Sequence, residues 1–234
     1  MLRWLVWLPL LFLLLRSLVT RWFWPALWPG EWSGRAWTAV RLEPLGNSLT
    51  LAAGVMVAAV LLAIPLAGPY LRRAAVRWAV MTLALLPPMA ASVGLHGLFL
   101  RLGLTDSWWG VALVHLIPAT PYAVMAVAGS LSRFDEDLVA QARTLGAGRW
   151  ASWRHVKAPA LAPGLATGAV FAFVISWSQY ASTALIGGGR LVTLPMALVG
   201  YQQSGDEAVA AALSLVFLGA PVMLSVWVER GWQS

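Results

Sequence analysis

The chain has 234 residues, of which 60% are hydrophobic types and only 11% are charged. A soluble domain carries about a quarter charged residues, which argues against an ordinary globular protein; a disordered chain is poor in apolar residues and is excluded, and the lack of cysteine excludes a disulfide scaffold, a thiolate metal site and a thiol nucleophile. The net charge of +7 comes without a basic face interleaved with aromatics, which argues against nucleic acid and for the basic cytoplasmic loops of a membrane protein.

The bilayer is therefore the solvent to reason with. A spanning helix takes about 20 residues, which leaves room for roughly six with short connections. The first apolar block, residues 4–20, is expected to be a retained helix rather than a signal peptide, because no small-x-small cleavage site follows it. Arg16 near its end is expected to snorkel to the headgroups. Residues 21–44 are rich in tryptophan and proline and read as a segment lying along the outer surface. The second block, residues 45–70, opens with Asn47 and Ser48 and ends at Arg72, Arg73 and Arg77. The third, residues 78–100, contains Pro87-Pro88, a pair that breaks or kinks a helix near mid-membrane. The fourth, residues 108–130, carries His115, Pro118 and Pro121, and its prolines are expected to interrupt it at depth. Residues 131–163 form the long polar stretch. The fifth block is residues 164–186, a glycine-rich connection follows, and the sixth is residues 208–228. The expected fold is all-α and polytopic, a single transmembrane domain over residues 1–234.

Basic residues set the orientation. Arg3, Arg72, Arg73, Arg77, Arg133, Arg143, Arg149, Arg154, Lys157 and Arg230 fall on one side, against Arg21, Arg35, Arg41, Arg101 and Arg190 on the other. The first side is expected to be cytoplasmic, together with both termini and the 131–163 segment.

Several chemistries are missing. There is no G-x-x-x-x-G-K-[ST] phosphate loop, so the chain is not expected to bind or hydrolyse ATP. There is no H-E-x-x-H or G-x-S-x-G, and His96, His115 and His155 stand apart with no carboxylate at ligand spacing, so no catalytic or metal site is expected. His96 and His115 read either as hydrogen-bonded packing residues or as contacts for a solute.

The 131–163 segment carries the chemistry. Asp135, Glu136 and Asp137 open it, good helix formers follow, and Gly146 closes them, which are helix start and stop signals. A short surface helix, a turn at Gly146 and a second amphipathic stretch to Pro159 are expected. On the fifth block, Gly164, Gly168, Ala172 and Ser176 recur every four residues, either to pack closely on another helix or to line a path. Gln179 and Tyr180 lie one turn further on.

The segment resembles the "EAA" loop of the inner-membrane permease subunits of binding-protein-dependent ABC importers. That pattern is E-A-A, three residues, G, nine residues, then I-x-L-P. Here it falls at Ala140-Gln141-Ala142, Gly146 and Val156-Lys157-Ala158-Pro159 with its spacing kept. The glutamate position is Ala140, the first alanine is Gln141, and the leucine before proline is Ala158. Asn47-Ser48-Leu49 and Thr193-Leu194-Pro195 also resemble this family. The resemblance implies a type I importer-like permease with about six helices and the loop between the fourth and fifth.

It further implies that residues 131–163 form a coupling helix docked on a cytoplasmic ATPase subunit, which would hold the ATP and magnesium. Gly146 would give the turn, Val139 and Ala142 a small apolar contact, and Arg143, Glu136 and Asp137 the rim charges, one of the two acids standing in for the missing glutamate. Asn47, Ser176, Gln179 and Tyr180 are the candidate path residues, with helix capping the other reading of Asn47. The implied partners are two ATPase subunits, a second permease chain, the bilayer, and an extracytoplasmic solute-binding protein over residues 21–44 and 187–207. Similarity to the polyamine, iron(III), thiamine and molybdate group suggests a thiamine-like, polyamine or iron(III) solute. The rival class is a secondary transporter or channel that needs no ATPase, for which ionisable residues at mid-membrane would be expected.

Overall fold

The computed structural model describes residues 7–22, 28 and 30–233. Among these the chain is almost entirely helical, and it divides into two compact units, Met1–Thr50 with Gly188–Ser234, and Leu51–Gly187.

In the first unit, α1 (Leu8–Ser17) is followed by a two-stranded antiparallel ribbon, β1 (Val19–Arg21) and β2 (Glu31–Trp32), and by the short α2 (Arg35–Ala39). The ribbon and α2 occupy part of the region expected to lie on the surface, and Trp28, Trp32 and Trp37 are exposed there. Residues 23–27 and 29 of that region, and residues 4–6 of the first apolar block, lie outside the described residues. Helix α1 has 10 residues, short of the ~20 a span requires. It packs on α12 (Glu207–Gln233), which also carries α11 (Leu194–Gln203) against it. Arg16 does not snorkel. Its side chain is 8% exposed and pairs with Glu207 at 2.7 Å, because a carboxylate at the start of α12 offers a buried guanidinium a better partner than a distant headgroup.

Helix α3 runs Leu42–Arg72, starting three residues earlier than the hydropathy pattern suggests. Asn47 and Ser48 consequently sit in its second turn, and neither caps it. Both instead reach the segment that leads into α11. Asn47 Nδ2 donates to the Val192 carbonyl at 3.0 Å, and Ser48 Oγ accepts from Leu194 N–H at 2.7 Å. A helix's first N–H groups have no partner of their own, so Ser48 caps α11 from another helix. The two motifs at 47–49 and 193–195 are thus joined to each other.

In the second unit, α4 (Ala74–Leu85) and α5 (Pro88–Arg101) replace the expected single third span. They meet at Pro87-Pro88 with a bend of 98°. Proline removes a backbone donor and clashes with the preceding turn, so the break falls where the sequence puts it. Pro118 and Pro121 behave otherwise: α6 (Trp108–Leu131) continues through both, and both are buried. It is the most enclosed of the spanning helices, and α9 (Ala158–Trp177) packs along it. Gly164 and Gly168 of α9 make this approach possible. A Cβ on Gly164 would stand 2.6 Å from Ser130 Oγ and 2.7 Å from the Ala126 carbonyl, and one on Gly168 would stand 3.2 Å from Ala123 Cα. Gly164, Gly168, Ala172 and Ser176 are all buried, as close packing requires.

The fifth block also differs from expectation at both ends. Its helix begins at Arg149, not at residue 164, running through α8 (Arg149–Ser152) and a π-turn at Trp153–Lys157 into α9. It breaks after Trp177 and resumes as α10 (Ala181–Gly187). The polar run Ser178-Gln179-Tyr180 occupies that break, a dip that a reading of residues 164–186 as one apolar block passes over. Among the described residues, four helices are long and apolar enough to span, or five if the bent pair α4–α5 counts as one, so the expected count of six is not confirmed.

Candidate functional site

The polar stretch folds as the residue order suggests up to Gly146. Asp135 Oδ1 accepts from Asp137 N–H at 2.9 Å, and α7 occupies Asp137–Thr144. Its end is a double hydrogen-bonded turn: Gly146 N–H donates to the Arg143 carbonyl and Ala147 N–H to the Ala142 carbonyl, each at 3.0 Å. This glycine-closed helix end needs a left-handed residue, and Gly146 has φ +89°. Gly148 then caps α8, with Ser152 N–H donating back to its carbonyl at 2.9 Å.

Some of the predicted coupling residues share one cleft and others do not. Val139, Ala140 and Arg143 line a cleft of about 390 Å³ with Glu136, Arg149, Ser152, Trp153 and Lys157. Val139 and Ala142 are half-buried, and so is Val156 in the π-turn, whereas Gln141 and Pro159 are exposed. Glu136 is already engaged, because Arg72 Nη2 donates to both its carboxylate oxygens at 3.0 and 3.3 Å. That exposed pair links the end of α3 to the entry to α7. Asp137 stays exposed.

Three further apolar residues of the segment were not singled out from the sequence. Leu138, Leu145 and Trp150 are exposed, Leu145 to 89%, and Trp150 stacks on Trp153 with ring centroids 5.3 Å apart. Leu145 and Trp150 flank the glycine turn and stand out of an otherwise polar connection. The signal was present as apolar residues flanking the glycine turn, but their exposure depends on the turn's geometry.

The candidate path residues lie in different surroundings. Asn47 spends its amide on Val192, as above. Ser176 is 3% exposed, with its Oγ 2.9 Å from His115 Nδ1. The other ring nitrogen, Nε2, lies 3.0 Å from Thr183 Oγ1 on α10. His115 is therefore a hydrogen-bonded interior residue. Gln179 and Tyr180 occupy the break between α9 and α10, Gln179 half-buried and Tyr180 40% exposed. His96 Nδ1, on α5, is buried and makes no hydrogen bond. No group of three or more His, Asp or Glu able to hold a metal occurs among the described residues.

Comparison with known proteins adds an independent line. The family described as binding-protein-dependent transport system inner membrane component matches residues 4–228. ORF1 of Streptomyces antibioticus, provisionally named an ABC transporter permease protein, is 33% identical over 179 residues, covering 74% of this chain and 78% of its own. The molybdenum transport system permease protein ModB of Mycobacterium bovis is 30% identical over 226 residues, covering 87% of this chain and 83% of its own. The inner membrane ABC transporter permease protein YnjC of Escherichia coli K12 is 29% identical over 188 residues, which is 80% of this chain but 36% of the longer relative.

Proposed function

The chain belongs to the family of inner-membrane components of binding-protein-dependent transport systems, as a multi-pass permease of an ABC importer, and from that premise we propose that it forms the path of a small solute and is driven by ATP hydrolysed on a partner subunit. The observation that carries the coupling role is the α7–Gly146–α8 turn, which presents Leu145 and Trp150 beside a cleft lined by Arg143, Arg149 and Lys157. A rigid turn with apolar tips suits a lever seated on an ATPase surface. The ATP and magnesium sit on that ATPase, and this chain binds neither. A second permease chain completes the path, and a solute-binding protein docks on the opposite face over residues 21–44 and 187–207. Both termini and the 131–163 segment lie in the cytoplasm, supported by the ten basic residues counted on that side.

For the solute, a molybdate-like oxyanion is the reading we favour over a thiamine-like molecule, a polyamine or iron(III). It is supported by the breadth of the match to a relative named for molybdenum transport. Selection would rest largely on the binding protein.

The test is reconstitution of this chain with its ATPase and binding protein in proteoliposomes, with labelled molybdate, iron(III), thiamine and a polyamine offered in turn. ATP-dependent uptake of molybdate alone is the expected result. Uptake of another of the four would replace the solute, and flux without ATP would favour a secondary transporter or channel. Neutralising Glu136 and Asp137 together addresses the missing glutamate. If coupled hydrolysis and assembly stay intact in that double variant, neither acid replaces it.

A further inference from the structure

We propose that His115 is a positioning residue for the path: it brackets the break between α9 and α10 and so fixes Gln179 with its amide donors available to an oxygen-rich solute. This rests on the permease reading for its transport consequence, though not for its geometry.

Residues 178–180 interrupt an otherwise apolar stretch between Trp177 and Ala181. Non-helical backbone at membrane depth persists where protein holds it or where it lines a cavity. Here a single imidazole from α6 holds both sides. Ser176 is in the last turn of α9 and Thr183 in the first turn of α10, and the two ring nitrogens reach one each, at 2.9 and 3.0 Å. His115 and Thr183 are 0% exposed and Ser176 is 3% exposed.

The protons can be assigned by counting. Thr183 Oγ1 donates its only proton to the Gln179 carbonyl at 2.8 Å. It must then accept from His115, so Nε2 carries the ring proton. Nδ1 is left with a lone pair and accepts from Ser176 Oγ–H. The chain of donation runs Ser176 to His115 to Thr183 to the Gln179 carbonyl, and every member is satisfied. Such a connected buried network holds one geometry, whereas a merely apolar side chain would fill the space without fixing the break.

The network ends on Gln179. Its backbone carbonyl is taken by Thr183, and its side-chain Oε1 accepts from Ser182 Oγ at 3.2 Å. Both its oxygens are therefore bound to the first turn of α10. Its Nε2 has no hydrogen bond among the described residues. The half-buried amide thus offers donors, the complement of an oxyanion or another oxygen-rich solute and a poor match for a cation.

The experiment uses the full transporter in nanodiscs and proteoliposomes. The native chain has no cysteine, so nitroxide labels at Phe171→Cys and Leu185→Cys report the distance across the break. In His115→Leu the distance distribution should broaden, and the KM for labelled molybdate should rise roughly tenfold, the scale of one lost hydrogen bond, while ATP hydrolysis without solute is retained. His115→Gln, which again offers one donor and one acceptor, should restore the narrow distribution and most of the KM. If His115→Leu fails to fold, Ser176→Ala and Thr183→Val each remove one arm and are expected to broaden the distribution. An unchanged distribution in folded variants overturns the bracket. A broadened distribution with unchanged KM overturns the link to Gln179. If the native transporter does not take up molybdate, the solute reading is at fault, and the distance measurement still decides the bracket.

Discussion

The Arg16 guanidinium donates to a single carboxylate oxygen of Glu207 from both Nε, at 3.0 Å, and Nη2, at 2.7 Å, while its Nη1 reaches the Val19 carbonyl at 3.2 Å. One buried arginine therefore joins the end of α1, the first residue of β1 and the first turn of α12. Glu207 also lies where a carboxylate is favoured by the helix dipole.

Removing Glu207 should strand that arginine. Glu207→Leu is expected to cost about 1.5–3 kcal/mol, the range for hydrogen bonds to charged groups, and Arg16→Met with Glu207→Leu should recover part of it, because neither charge is then left unpaired. Thermal unfolding of the purified chain in detergent measures both. A double variant as unstable as Glu207→Leu alone would show that the arginine's cost of burial is not what the pair offsets.

The α6–α9 contact should tolerate no added carbon at Gly164. Gly164→Ala places its Cβ against a backbone carbonyl and Ser130, and overpacking of this kind costs about 1–3 kcal/mol. Gly168→Ala meets its neighbours at 3.2 Å or more and should cost less. Melting temperatures of the two variants, compared side by side, test the ranking.

Gly146 is held at φ +89°. Gly146→Ala should destabilise the helix end by about 1–2 kcal/mol, the penalty for a side chain in the left-handed region. Gly146→Asn should lose less, and Gly146→Pro should abolish the turn because its φ is fixed near −65°. The expected readout is loss of ATPase copurification in the order proline, alanine, asparagine. Full retention with proline would separate the turn from coupling.

Leu145→Asp and Trp150→Ala should leave folding intact, since both side chains are exposed, to 89% and 68%. Each should weaken ATPase binding by roughly tenfold or more, as apolar and aromatic anchors do at an interface centre. Titrating the purified ATPase against the chain in nanodiscs provides the measurement, and unchanged affinity in both variants would move the contact to another surface.

Part of this was legible from residue order. Hydropathy blocks marked the bilayer, since burying some 20 apolar residues in a row serves little else. Pro87-Pro88 marked a real break, and Gly146 a real helix end, because both constraints act within one turn of chain. The kept spacing at Ala140-Gln141-Ala142, Gly146 and Pro159 agreed with the family match over residues 4–228. Tertiary packing decided the rest. Pro118 and Pro121 did not break α6, in which both are buried. The α9–α10 break fell at Ser178-Gln179-Tyr180, inside one expected span, and His115 bonds to both sides of it. Arg16 found Glu207, 191 positions away. Local composition sets which conformations a short stretch can adopt. Which buried polar group meets which depends on how distant helices are brought together, and no spacing along the chain records that.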